Sequence, residues 1–181
     1  MPDALAAVLR VLIVGASGVF GSRLAKRLAL ESGIVLTLAG RRRAPLEEVR
    51  ARIGGGTIRQ MDRDTVTGSD LAGYDLVIDA AGPFQQSGSQ LVEACLDAGI
   101  DYVDLADGRD WVVGFAERFD EKARGAGIAL ITGASSIPAL SHAAIDALVV
   151  GWRRIGAVSI GIFPGNRTPR GLSVVEAILS Y

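Results

Sequence analysis

Val11-Leu-Ile-Val-Gly15-Ala-Ser17-Gly18-Val-Phe-Gly21 is the stretch whose reading decides the fold. The apolar run from Val8 to Val14, broken only by Arg10, has the character of a parallel strand covered on both faces. Gly15 then permits a sharp turn through backbone angles that a side chain forbids. Gly18 has no Cβ to hold a pyrophosphate away from the backbone, and Gly21 lets the next helix pack tightly on the strand. Ser22-Arg-Leu-Ala-Lys-Arg-Leu-Ala-Leu30 continues as that helix, with an amphipathic pattern. Its N-terminus presents unpaired N–H groups and a partial positive charge, which suit a phosphate, and the Ser17 hydroxyl adds a donor. The spacing is Gly-x-x-Gly-x-x-Gly, not the more usual Gly-x-Gly-x-x-Gly. In a chain with 23 glycines the triplet alone says little; the strand before it and the helix after it give it meaning. Gly15, Ala16, Ser17, Gly18, Val19, Phe20 and Gly21 are therefore expected to bind a dinucleotide.

The next apolar run, Ile34-Val-Leu-Thr-Leu-Ala-Gly40, ends about 20 residues past the glycines, where an NAD-preferring site holds an Asp or Glu for the ribose 2′-hydroxyl. No acid occurs between Gly40 and Glu47; the chain reads Gly40-Arg41-Arg42-Arg43 instead. A carboxylate repels a 2′-phosphate, whereas a guanidinium binds one bidentately and stacks on adenine. Arg41 and Arg42 are accordingly expected to select NADP over NAD, with Arg43 as a plain surface residue. Positive charge is concentrated from Arg41 to Arg63, a region assigned to the phosphate end of the cofactor.

Composition bounds the rest. A chain of 181 residues with 49% hydrophobic and 22% charged residues is an ordinary globular sequence. Its net charge of −1 gives no reason to expect nucleic acid as a partner. A single cysteine, Cys95, forms no internal disulfide, and no stretch reaches the ~18 apolar residues of a membrane span. Asp3 and Arg10 argue against reading the N-terminal run as a signal peptide. The chain is expected to be soluble and cytoplasmic.

Strand and helix signals alternate along the chain, implying an α/β doubly wound parallel sheet, a six-stranded Rossmann fold. After the first two strands come a helix over 45–53, a strand over 57–61, a short helix or loop near Ser69, and a strand over 75–81. Asp62 and Asp64 read as turn residues, with adenine within reach as the alternative. Ala81, Gly82 and Pro83, at the carboxyl end of the fourth strand, fall beside the nicotinamide-side ribose. A helix over 89–98, a strand over 101–106, a helix over 110–124, a strand over 128–133 and a helix over 139–150, capped by Ser135-Ser136, complete the pattern. Cys95 shares a helix face with Leu91, Val92 and Leu96 and reads as core. Residues 157–163 alternate as a strand, and an apolar helix begins at Leu172. The expected division is a cofactor domain over 1–151 and the start of a second, α+β domain over 152–181, truncated or absent.

Taken in order, Gly-Ala-Ser-Gly-Val-Phe-Gly, Ala39-Gly40-Arg41, Ala81-Gly82-Pro83-Phe84, Tyr102-Val-Asp-Leu105 and Gly133-Ala-Ser-Ser-Ile-Pro138 resemble the saccharopine dehydrogenase-like oxidoreductases. The resemblance implies an N-terminal Rossmann domain binding NADP or NAD. It also implies a following α+β domain that completes the substrate site and often the dimer interface, so a homodimer through that second domain is expected. Ala106-Asp107-Gly108 stands where the family commonly has Ser-Gly-Glu, which leaves the small-molecule substrate open. Asp104 and Asp107 are the available acids for proton transfer or for a substrate amine, against plain roles as a helix cap and a turn acid. His142, on a largely apolar helix, reads as packing or surface, with an acid–base role facing the cleft as the alternative. A short-chain dehydrogenase is excluded, because neither Tyr74 nor Tyr102 has a lysine four residues later. The competing class is a non-catalytic NADP-binding module. No metal site is indicated.

Overall fold

A computed structural model describes residues 8–84 and 88–161, together with positions 163, 171 and 175. Six parallel strands form one sheet: β1 (Leu9–Val14), β2 (Ile34–Gly40), β3 (Thr57–Gln60), β4 (Leu76–Asp79), β5 (Asp101–Asp104) and β6 (Leu130–Ile131). Their order is β3-β2-β1-β4-β5-β6, so the winding reverses between β1 and β4, the switch point at whose carboxyl ends sheets of this kind bind ligands in a crevice.

The strands are apolar on both sides because helices cover both faces. Val11 and Ile13 join Leu36, Leu38 and Ile78 under α1 (Val19–Leu28) and α2 (Arg43–Ile53). Leu12, Val14 and Val77 point the other way, against Leu91, Val92 and Cys95 of α3 (Gln90–Ala98) and Trp111, Phe115 and Phe119 of α4 (Arg109–Ala126). Cys95 is thus core, its thiol pushed up to about 12 by burial.

Three strands are shorter than their apolar runs suggest, and two carboxylates account for it. Asp79 ends β4 by accepting the N–H of Ala81 at 2.9 Å. Asp104 ends β5 in the same way, accepting the N–H of Ala106 at 3.0 Å. Asp104 also accepts the Gly133 N–H and the Thr132 hydroxyl, each at 2.8 Å, which turns the chain out of β6. The helix expected from 139 begins at Ser141 as α5 (Ser141–Leu148), after a kinked turn over Ser136–Leu140. Ile137 is held extended, as residues before proline are. Ser135 does not cap this helix; its hydroxyl donates to the Ile137 carbonyl at 2.9 Å.

The strand expected over 157–163 does not form over 157–161. Those residues are exposed, and no other strand among the described residues lies alongside to take their backbone hydrogen bonds. The helix expected from Leu172 lies outside the described residues apart from position 175. Among the described residues, no helix is long and apolar enough to cross a membrane.

Candidate functional site: a cofactor crevice at the strand ends

The turn after β1 is held by its own packing. Gly15 and Ala16 both donate to the Ala39 carbonyl, at 2.9 and 3.1 Å, tying the turn to the end of β2. Gly15 has φ +77°, and a Cβ there would stand 2.8 Å from backbone atoms of Ala80 and Ala81. At Gly21 a Cβ would lie 2.2 Å from the Gly15 carbonyl oxygen. Both glycines are thus fixed by the close approach of β1, α1 and the loop after β4. Gly18 differs. It is exposed, and a Cβ there would meet only the Gly15 oxygen, at 3.2 Å, so its bare backbone faces outward.

Around Gly18 lie donors without partners. Among the described residues, no carbonyl or side chain accepts the N–H groups of Ser17, Val19, Phe20 or Gly21, and α1 has no acid in its first turn. A cluster of free amides at a helix N-terminus beside an outward-facing glycine fits a pyrophosphate. Arg41 and Arg42 are exposed just beyond β2 and form no ion pair among the described residues, whereas Arg43 pairs with Glu47 at 3.0 Å. Gln60, at the end of β3, donates to the Arg41 carbonyl at 2.8 Å and steadies that loop. Asp62 is a turn residue, accepting the Asp64 N–H at 3.1 Å.

Across the crevice the loop Ala81-Gly82-Pro83-Phe84 leaves β4 through a cis Gly82–Pro83 peptide. Its first residue, Ala81, lies directly against Gly15. Arg63 stands behind this loop. By its sequence position it belongs with the phosphate-end charges, but it is turned inward instead. It pairs with Asp79 at 2.8 Å, donates to the Ala81 carbonyl, and lies 5.6 Å from the centroid of the Phe84 ring. Asp79 is fully buried; burial raises its carboxyl to about 6, against the opposing pull of Arg63. The acid inside the run Leu76-Val-Ile-Asp-Ala-Ala81 is the sequence signal for this pair, since a lone carboxylate in an apolar strand needs a partner.

Asp104, a candidate for proton transfer, is likewise fully buried. Besides the Ala106, Gly133 and Thr132 donors, it accepts the Trp111 indole N–H at 2.8 Å and the Tyr102 hydroxyl at 3.2 Å. Every lone-pair direction is engaged, so Asp104 organises the strand ends; it caps no helix, since Gly108 stands at the start of α4, and it holds the turn after β5. Burial first, and then the nearby Asp79 and Asp104 carboxylates, raise the Tyr102 hydroxyl well above its usual range.

Asp107 is placed differently. It is exposed on the wall of a cleft of about 760 Å³ that continues from Phe20 of the glycine turn. Leu105, Val112, Val113, Ile137 and Pro138 give that cleft an apolar lining, and Arg109 adds a cation. Nothing in the local sequence pattern marks Arg109 for this wall; the fold alone brings it there. His142 lies on the outer surface of α5, 76% exposed, 3.4 Å from Asp146 and outside the cleft lining. No cluster of metal-ligating side chains occurs among the described residues.

The chain shares 36% identity over 104 residues with a carboxyaminopropylagmatine dehydrogenase from Synechocystis sp., covering 54% of this chain and 26% of that protein. It shares 26% over 144 residues with a lipid droplet localized protein of Caenorhabditis elegans, covering 71% and 34%. The chain therefore spans about a quarter to a third of the length of these curated relatives. Among solved structures, saccharopine dehydrogenase (L-Glu forming) from Saccharomyces cerevisiae superposes with a TM-score of 0.63 at 20% identity, over 78% of this chain and 31% of that one; this likeness speaks to fold alone. The family model of the saccharopine dehydrogenase NADP binding domain matches residues 11–131, from β1 through β6, and the chain belongs to that family.

Proposed function

We propose that this chain is the NADP-binding part of an oxidoreductase that moves a hydride to or from a carbon bearing nitrogen or oxygen. The observation that carries the reading is the pairing of two features at the crevice. Among the described residues, four amides around the exposed Gly18 have no partner, and Arg41 and Arg42 at the end of β2 have no ion pair where an NAD site would offer an acid. The amides of Ser17, Val19, Phe20 and Gly21 would hold the pyrophosphate. Arg41 and Arg42 would take the 2′-phosphate, and Ala81, Gly82 and Pro83 would border the nicotinamide-side ribose.

When bound, the cofactor supplies the hydride at its nicotinamide ring; the protein supplies binding, orientation and nearby charge. The apolar cleft beside Phe20 excludes water from one side of such a site, with Asp107 and Arg109 as the ionisable groups on its wall. Asp107 is the better placed of the two acids for a proton or a substrate amine, because it is exposed on the cleft wall while Asp104 is fully buried. The substrate is a small molecule, and a further domain completes its site and carries a homodimer interface. The longer relatives leave room for such a domain. The setting is the cytoplasm.

Replacing Arg41 and Arg42 by alanine tests the reading. NADPH binding, followed by titration calorimetry, should weaken by about 100-fold, as expected when two charge-assisted hydrogen bonds are removed, while NADH binding changes less than about threefold. Equal weakening of the two would refute 2′-phosphate selection. A non-catalytic NADP-binding module is the competing reading, and a chain extended to the length of its relatives separates them. Binding without NADPH oxidation across imines, amino acids and carbonyls would favour the module.

A further inference from the structure

We propose that Arg63 is a positioning residue for the nicotinamide half of the cofactor, acting by clamping the Ala81–Phe84 loop against the glycine turn. The proposal rests on the NADP-binding reading above.

Arg63 follows β3, on the adenosine side of the crevice, yet its guanidinium crosses to the loop after β4. Its side chain is 11% exposed, while the other ion-paired arginines range from 31% to 80%. It grips the loop at three points: the Asp79 carboxylate at its root, the Ala81 carbonyl, and the Phe84 ring at its far end. Asp79 completes the grip by accepting the Ala81 N–H at 2.9 Å, so both backbone polar groups of Ala81 are held. One guanidinium nitrogen, Nη1, reaches both the carboxylate and the carbonyl, and the rigid guanidinium plane carries the group on to the Phe84 ring, a geometry that a lysine ammonium lacks.

What this clamp fixes is the distance between Ala81 and Gly15. Those residues already stand so close that a single added methyl would strike backbone at 2.8 Å. Gly15 opens the turn whose free amides face the pyrophosphate, and Ala81–Pro83 borders the other ribose. Arg63 therefore sets the spacing between the pyrophosphate seat and the nicotinamide side, without itself facing the crevice. Stability alone is a poor account of it, because a buried ion pair generally adds little over an apolar pair of the same volume.

The test compares NADPH with 2′,5′-ADP, a probe that carries the adenosine half and the 2′-phosphate but no nicotinamide. The variants are Arg63→Lys and the charge-balanced Arg63→Met/Asp79→Asn, in which the asparagine oxygen can still accept the Ala81 N–H. The second variant keeps the test open if an unpaired buried carboxylate prevents folding. NADPH affinity should fall about tenfold in the double variant, the worth of one strong hydrogen bond, with a smaller loss in Arg63→Lys. Affinity for 2′,5′-ADP should stay within about twofold of wild type in both. Equal losses for the two ligands, or no loss for either, would overturn the positioning role while leaving cofactor binding intact. A wild-type chain that binds neither ligand would overturn the cofactor reading and the proposal with it.

Discussion

Asp104→Asn separates a structural carboxylate from a catalytic one. In the wild type one oxygen of Asp104 accepts the Ala106 and Gly133 amides, and the other accepts the Trp111 indole and the Tyr102 hydroxyl. Thr132 donates between the two oxygens, at 2.8 and 3.0 Å. Asparagine keeps one acceptor oxygen and replaces the other with an NH2. Hydroxyls can rotate to accept from it, but an indole N–H and a backbone amide cannot. If the oxygen stays with the two amides, the Trp111 N–H meets a donor inside the core and loses its acceptor, costing about 1–3 kcal/mol. The amide bonds also weaken from charged to neutral acceptor, by roughly 1 kcal/mol each. Against this, Asp79 loses a neighbouring negative charge that now raises its carboxyl, which returns part of the cost. The net is about 3 kcal/mol of destabilisation, or about 6–12 °C in Tm for a chain of this size.

Urea denaturation is the direct assay, with Trp111 fluorescence as a reporter seated on the substituted group. The midpoint should fall while the slope stays constant, since the surface exposed on unfolding is unchanged. A variant that unfolds within about 0.5 kcal/mol of wild type, yet loses turnover in an extended chain, would refute the structural assignment. Asp104 would then be the proton-transfer group that its burial argues against.

The glycines of the first turn should divide by what their Cβ would meet. Gly21→Ala places a methyl 2.2 Å from the Gly15 oxygen and should cost about 2–4 kcal/mol, seen as a lower urea midpoint. Gly18→Ala meets only one atom at 3.2 Å, so Tm should hold while NADPH affinity falls at least about tenfold; intact binding would remove Gly18 from the phosphate seat. Two acids should also pull stability in opposite directions with pH. Asp79, raised to about 6 by burial, holds its proton longer in the folded state, so stability falls by about 3 kcal/mol as pH rises from about 4 to about 6. Asp75, lowered to about 2 by its hydrogen bonds from Arg10, supplies stability that is present above about pH 4 and lost as pH falls toward 2. Urea midpoints between about pH 2 and pH 7 check both. Asp79→Asn should flatten the upper slope and Asp75→Asn the lower, and an unchanged profile in either variant would contradict the assignment.

What the sequence makes legible, and what it hides, follows from the range of the interactions involved. The signal of the glycine turn is local: the strand, the three glycines and the start of α1 all fall within 11 residues, from Val11 to Gly21, even though Ala39 and Ala81 hold the turn in place. The doubly wound parallel sheet follows almost as directly, because apolar strands covered on both faces alternate with helices along the chain. The strand ends are hidden for the opposite reason. Asp79 and Asp104 sit opposite each other in neighbouring strands, and what they do depends on Arg63, Tyr102, Trp111 and Thr132, most of which reach them from other segments. The trace they leave in the sequence is the repeated Asp-x-Ala of Asp79-Ala-Ala81 and Asp104-Leu-Ala106, in which the carboxylate accepts the amide two residues on. Periodicity passes over such a pair, because both acids occupy inward positions where an apolar residue would preserve the pattern. A carboxylate at a core position of a central strand is therefore better read as a demand for a distant cation or donor than as a candidate for chemistry. On that rule Asp79 calls for Arg63 and Asp104 for Trp111, while Asp107, past the end of β5, stands exposed on the cleft wall.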